Sequence, residues 1–357
     1  MNAKEVAVAI RAWAQENHLF KNEFPIDLNL EDEDKDALFD SLAISHKAES
    51  VLRHRGITAV AFNDATNEVI VFTERSVQVA EKKILPQSVA GEVTIRYIHG
   101  GMAQAGGPPG GMTPSPYVIR NNTMACGGSI HPAKSIGAGT MGCLVRDAAG
   151  TLFGLTNNHV SGMCNYANIG EKILAPGHID ITANGLDPFT LGYHVRALPM
   201  VQGLPDNVDI TTNSDAALIR IANVAQVCSY QGNLYDTPAK AFDMLAGQTV
   251  EKVGRTTGHT QGLILGQVTG PHPVKYNTAG FGDHISFFDP VFAIQGINPG
   301  EPFSQPGDSG SLITIQQNGE RFAVGLVFAG NGNGISFALP LMPILATLGV
   351  TLVSAHN

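Results

Sequence analysis

Pro306-Gly307-Asp308-Ser309-Gly310-Ser311, running straight into the apolar stretch Leu312-Ile313-Thr314-Ile315, is the segment on which the reading of this chain turns. A serine hydroxyl is a weak nucleophile, so chemistry at such a residue needs a rigid mount and hydrogen-bond donors beside it. Glycine at 307 and 310 lets the backbone turn sharply and lets its amides face a ligand that a Cβ would hinder. The amides of Gly307 and Ser309 are then placed to receive the oxygen of a tetrahedral intermediate, an oxyanion hole. Taken alone, the same residues describe a tight turn entering a strand. The chemical reading needs a base and an orienting acid upstream.

Both are present. Residues 152–163 read Leu-Phe-Gly-Leu-Thr-Asn-Asn-His-Val-Ser-Gly-Met, which sets His159 where an apolar strand runs out into a loop. Asn213-Ser214-Asp215-Ala216-Ala217-Leu218-Ile219 sets Asp215 at the mouth of another. Asp209, in Asn207-Val208-Asp209-Ile210, is the competing acid, and His178, His194, His259 and His284 lack a comparable strand-end setting. His159, Asp215 and Ser309 follow one another in the chain order of the chymotrypsin-type triad, in contrast to the orders of subtilisins and α/β-hydrolases.

Together with Gly254-Arg255-Thr256-Thr257-Gly258 and Gly325-Leu326-Val327-Phe328-Ala329-Gly330, these motifs resemble those of trypsin-like serine peptidases, and within them the non-secreted narrow-leaf-type group of bacteria and plants. The resemblance covers the last two-thirds of the chain. It implies a mainly β fold, a chymotrypsin-like pair of six-stranded antiparallel barrels with the site between them. It also implies a protein or peptide substrate and no cofactor or metal. In such enzymes the residue six before the serine, here Phe303, lies at the base of the substrate pocket, and Phe328, Ala329 and Gly330 form a wall, with Ser336-Phe337 closing another. That pocket implies an uncharged, apolar residue before the cut bond. Secreted relatives pair the aspartate before the nucleophile, here Asp308, with an amino-terminus freed by cleavage. Around Tyr117-Val118-Ile119 no Ile/Val-Val-Gly-Gly start occurs, so Asp308 is expected to find internal donors. The arginine of Gly254-Arg255-Thr256-Thr257-Gly258 reads as a purely structural feature, tying down carbonyls in a hairpin. Two rival readings stay open: a silent scaffold on a peptidase fold, and an esterase with the same triad.

Composition narrows the partners. With 357 residues, two folded units are the default. The net charge of −9 and the lack of a basic stripe argue against nucleic acid and acidic membrane surfaces. No apolar run is long enough for a membrane helix, and the residues after Met1 do not form a signal-peptide core, so a cytoplasmic location is expected. Cys126, Cys143, Cys164 and Cys228 then read as free buried thiols. Homo-oligomerisation is left open.

Charge also divides the chain. Residues 1–98 hold 27 charged side chains and residues 99–357 only 26, which puts a boundary near 99. The first part reads as a small α/β domain. It comprises a helix over 4–18, a helix starting in Glu31-Asp32-Glu33-Asp34, a hairpin (57–62 and 68–72), a short helix capped by Ser76, and a strand through Val93, Ile95 and Tyr97. A Gly/Pro-rich linker spans 99–116. The peptidase-like domain takes 117–357, with a carboxy-terminal helix over 341–348.

Overall fold

A computed structural model of the chain describes residues 2–21, 39, 42, 44–89, 92–105, 119–184, 187–278 and 280–357. The helix expected from the acidic run at 31–34, most of the Gly/Pro-rich stretch and Tyr117 lie outside these residues. The fold is mainly β, with a closed six-stranded barrel and an open half-barrel.

In the amino-terminal part, helix α1 (Ala3–Glu16) begins in a capping box: Asn2 Oδ1 accepts from Glu5 N, and Glu5 Oε2 accepts from Asn2 N, both at 2.9 Å. Helix α2 (His46–Arg55) is capped by Ser45 and leads into the antiparallel hairpin β1 (Ile57–Asn63) and β2 (Glu68–Thr73). The next helix, α3 (Val79–Lys82), starts after Gln78 and not at Ser76. The cause is Glu81, whose carboxylate accepts from Gln78 N at 2.8 Å and is held by Arg55. Strand β3 (Val93–His99) lies parallel to β2, and the short strand β4 (Ala103–Ala105) follows. Val6, Ile10, Leu52, Val60, Val71 and Ile95 belong to one apolar cluster here.

The first barrel region is an open sheet. Its strands are β5 (Ser129–Pro132), β6 (Cys143–Asp147), β7 (Leu152–Thr156), β8 (Lys172–Ala175), β9 (Phe189–Ala197) and β10 (Ala217–Ile221). Helix α4 (Asn158–Ser161) leaves the end of β7, and α5 (His178–Asn184) follows β8. The sheet order runs β6-β7-β10-β9-β8-β5 without β5 returning to pair with β6. This half-barrel is the first member of the expected double β-barrel.

The carboxy-terminal half closes fully. Strands β11 (Thr249–Gly254), β12 (Gly258–Val268), β13 (His272–Thr278), β14 (Gly282–Phe288), β15 (Phe292–Gly296), β16 (Leu312–Gln317), β17 (Glu320–Gly330) and β18 (Ile335–Pro340) lead into α6 (Leu341–Leu348). Six of them form the ring β11-β12-β15-β18-β17-β16, closed by β16 against β11. Strand pairing and a buried side chain join the amino-terminal part to this barrel. Ala61 and Phe62 of β1 pair with Val268 and Gln267 of β12, and buried Arg11 of α1 donates to the carbonyls of Thr269 and Pro271. The strands of the amino-terminal part thus extend the barrel's own sheet. All four cysteines are buried and unpaired. No helix among the described residues is long and apolar enough to cross a membrane.

Candidate active site

Strand β7 ends at Thr156, and the chain turns through Asn157 into α4, so His159 projects from a one-turn helix whose approach is pinned. Asn157 is fully buried and its Nδ2 donates to the Asp215 carbonyl at 2.6 Å. Asp215 sits two residues before β10 with no exposed surface. Its Oδ1 accepts from the His159 amide at 2.9 Å, and its Oδ2 accepts from His159 Nδ1 at 2.5 Å. That geometry fixes the tautomer: with Nδ1 carrying the proton, Nε2 is left as the acceptor. Asp209, the competing acid, is exposed and among the described residues accepts from Thr211, which holds its carboxyl below the usual range. Asp215 is the acid that the fold brings to His159.

A third donor to this carboxylate had no sequence signal beyond its strand. Tyr276, inward-facing on β13 and fully buried, donates its hydroxyl to Asp215 Oδ2 at 3.0 Å. Burial, and then the charge of Asp215, hold the phenol well above its ordinary pKa, so it remains a donor. Its ring lies 5.6 Å from that of His159 and stacks on His284 at 5.4 Å. The alternation Val274, Tyr276, Thr278 marks an inward strand face, and a buried tyrosine there needs a polar partner.

Ser309 occupies the turn before β16. Gly310 N donates to Val327 O and Thr140 N donates to Ser309 O, both at 2.9 Å, which fixes the backbone around Ser309 from both barrel regions. Ser309 and His159 line the same cleft, about 1060 Å³ in volume. Among the described residues no hydrogen bond joins Ser309 Oγ to His159. Such contacts commonly tighten only around a bound substrate. The amides of Gly307 and Ser309 donate to no other described residue, which leaves two N–H groups free beside the serine.

Asp308, between them, is buried and fully satisfied from within. Its Oδ1 accepts from Thr256 N at 2.7 Å and Thr257 N at 3.1 Å, and its Oδ2 from Thr257 Oγ1 at 2.6 Å and Gln305 N at 3.0 Å. The buried ammonium of Lys252 stands 3.4 Å from Oδ2. Burial pulls the Lys252 pKa down, and Asp308 pulls it back up. The internal donors expected for Asp308 are thus the turn of Gly254-Arg255-Thr256-Thr257-Gly258. Its first glycine makes room for them, since a Cβ at 254 would stand 2.5 Å from Asp308 Oδ1. Arg255 makes a two-pronged ion pair with buried Asp180 of α5, which also accepts from Ser129 Oγ.

The pocket residues divide. Ala329 and Gly330 line the cleft, whereas Phe303 and Phe328 have no exposed surface and do not. Phe303 packs with Ile294 and Ile313 inside the closed barrel, its ring 5.9 Å from the Lys252 ammonium. Phe328 lies in the buried cluster that also holds Phe288, whose ring it meets edge-on at 5.2 Å. Ser304, Gln305 and Asn331 stand in the wall instead, and Ser304 donates to Ser336 Oγ at 2.6 Å. Glu301 is the one carboxylate among the described lining residues, and it is exposed. Gln104 and Ala105 of β4 also line the cleft, with Gln104 pairing with Gly330. Among the described residues no cluster of His, Cys, Asp or Glu is arranged to hold a metal ion.

No family model matches the chain. Over 218 residues, 55% of this chain, it is 28% identical to Protein NARROW LEAF 1 of Oryza sativa subsp. japonica, and that match takes in 34% of the rice protein. The chain therefore spans about a third of the length of this relative. Among solved structures it is similar to the Nocardiopsis protease NAPase, with a TM-score of 0.41 and 19% identity over 64% of this chain and 97% of that one. It is also similar to Thermobifida fusca protease A, with a TM-score of 0.41 and 17% identity over 65% of this chain and 100% of that one.

Proposed function

We propose that this chain is a serine endopeptidase acting through Ser309, His159 and Asp215. The observation that carries the reading is the Asp215–His159 pair held in one tautomer at a cleft it shares with Ser309 and two free backbone amides. In this mechanism Ser309 Oγ forms a bond to the peptide carbonyl carbon as its proton passes to His159 Nε2. The carbonyl oxygen becomes an oxyanion, and the amides of Gly307 and Ser309 receive it. As the C–N bond breaks, His159 returns the proton to the leaving amine, and water then releases the acyl group by the same route. Asp215 holds the ring in place and stabilises the imidazolium.

The substrate is a protein or peptide with an uncharged residue before the cut bond. The amino-terminal part takes a share in recognition, because Gln104 and Ala105 reach the cleft wall beside Gly330. Four unpaired buried thiols suit a reducing, cytoplasmic setting. The test is labelling of the purified chain with a fluorophosphonate, alongside Ser309→Ala and His159→Ala. Both variants are expected to lose labelling and peptide hydrolysis, with kcat falling on the order of 10⁶-fold and non-additively. Labelling that survives in Ser309→Ala, or a wild-type chain that never labels, rejects the reading and leaves the scaffold. Ester turnover with no new amino-termini in a protein mixture would instead make it an esterase.

A further inference from the structure

The loop that sequence reading set aside as structural bears on the oxyanion site itself. A trans peptide is planar, and its C=O and N–H point in opposite directions. The Gly307 N–H belongs to the same plane as the Pro306 carbonyl, so whatever holds that carbonyl also aims that N–H. Thr256 Oγ1 donates to Pro306 O at 2.8 Å. The direction of that bond is set from behind: Arg255 Nη1 donates to Thr256 Oγ1 at 3.1 Å, and a guanidinium has no acceptor, so the threonine proton is committed to Pro306. Arg255 is 2% exposed and fixed in turn by both oxygens of Asp180, itself fully buried.

The next peptide plane is held as well. Arg255 N donates to Thr140 Oγ1 at 3.1 Å, and Thr140 Oγ1 donates to Gly307 O at 2.8 Å. Gly307 itself has φ +102°, and a Cβ there would stand 2.3 Å from Thr256 Oγ1. The residue that makes the turn possible is also the one that admits the threonine.

We propose that Thr256, oriented by the Arg255–Asp180 pair, is a positioning residue that locks the 306–307 peptide with its N–H turned to the cleft. The oxyanion site is then set by this clamp before substrate arrives. The proposal rests on the serine hydrolase reading above. It separates from a purely structural role because the clamp acts on charge that develops only in the transition state: its loss lowers kcat and leaves KM nearly alone.

The experiment compares wild type, Thr256→Val, Thr256→Ser and Ser309→Ala by peptide hydrolysis and thermal unfolding. It adds the inhibition constant for a peptide aldehyde, whose adduct places an oxyanion in the site. Deleting an oxyanion donor outright costs about 10²–10³ in kcat. Thr256→Val frees that donor without deleting it, so kcat is expected to fall on the order of 10- to 100-fold, with aldehyde affinity falling in parallel and KM within about threefold. Thr256→Ser, which keeps the hydroxyl, restores both. Wild-type kcat in Thr256→Val, a change confined to KM, or equal losses in the valine and serine variants would overturn the clamp. Should Thr256→Val fail to fold, Thr256→Ala takes its place against Thr256→Ser. A Ser309→Ala variant that still hydrolyses peptides rejects the hydrolase reading and the clamp with it. A dead Ser309→Ala beside a fully active Thr256→Val rejects the clamp alone.

Discussion

Removing the hydroxyl of Tyr276 is the sharpest way to ask how the Asp215–His159 pair is tuned. The Asp215 carboxylate accepts three hydrogen bonds from the described residues: the His159 amide, His159 Nδ1 and Tyr276 Oη. Two of them hold the imidazole; the third draws electron density away from it. In Tyr276→Phe the ring, packed against His284 and Phe288, stays in place and one donor vanishes. A hydrogen bond to a charged group contributes about 1.5–3 kcal/mol net, so the folded state should lose stability of that order. Part of the density returned to Asp215 is then available to the imidazolium. One pH unit corresponds to about 1.4 kcal/mol, so the acidic limb of kcat/KM is expected to move to higher pH by up to about one unit. The plateau rate should change less than about tenfold, against roughly 10⁴-fold for Asp215→Asn, which presents the wrong tautomer. The assay is kcat/KM for a neutral peptide substrate from pH 5 to 9, with urea unfolding alongside. An acidic limb that stays put or moves to lower pH would refute the idea that Tyr276 acts through Asp215.

Three further outcomes are expected. A peptide library should return cuts after uncharged residues, because Glu301 is the lone carboxylate among the described lining residues and stands exposed to water; a majority of cuts after Lys or Arg would reject this. Burial pushes His272 down to about 3 and His131 to about 4, so between the ordinary 6.5 and those values the unfolded chain binds more protons and stability falls as pH falls. At pH 5 the loss is about 2 kcal/mol per histidine relative to neutral pH, and urea unfolding of His272→Gln should recover roughly that amount. Intact-mass analysis of fluorophosphonate-labelled protein should find the label on the full-length chain; labelling confined to a species cut near residue 117 would show that activation needs cleavage.

The candidate site was legible where strand ends and paired glycines mark the local sequence, and obscure where it depends on packing between distant strands. His159 and Asp215 each stand at the end of an apolar run, and Ser309 stands between two glycines, so motif order alone led to them. Asp308 was legible as a buried charge needing partners, but its partners are mostly backbone amides of Thr256, Thr257 and Gln305, and amides leave no trace in residue identity. Counting six residues back from the serine led to Phe303 because counting assumes a loop of standard length. The chain instead folds that ring inward beneath Lys252. Phe328 was misplaced for a different reason: the register of β17 shifts between Val327 and Ala329, and the ring is buried against Phe288 while Ala329 and Gly330 line the cleft. In the amino-terminal part the hairpin and the strand through Val93 were readable from alternation. The pairing of Ala61 with Val268 was not, since nothing local encodes a partner two hundred residues away.

The two ion pairs beneath the Ser309 turn raise a question of cost. Lys252 with Asp308 and Arg255 with Asp180 are all buried at 2% exposure or less, and burying four charges is rarely a route to stability. An apolar filling of the same volume would be as stable or more so, which makes stability a poor reason for their presence. Directed hydrogen bonds do something a greasy core cannot: they select one orientation of a peptide plane over its flipped alternative. Asp308 uses all four of its lone-pair directions on the 256–257 turn and Gln305, with Lys252 balancing its charge, and so has no acceptor left over for an incoming amino-terminus. Arg255, paired with Asp180, also donates to Thr256 and thereby acts on the Pro306 carbonyl. The same five-residue turn that neutralises Asp308 from one side thus orients the Gly307 amide from the other. In the proposed mechanism this confines the 306–307 peptide to the orientation that turns its N–H towards the cleft.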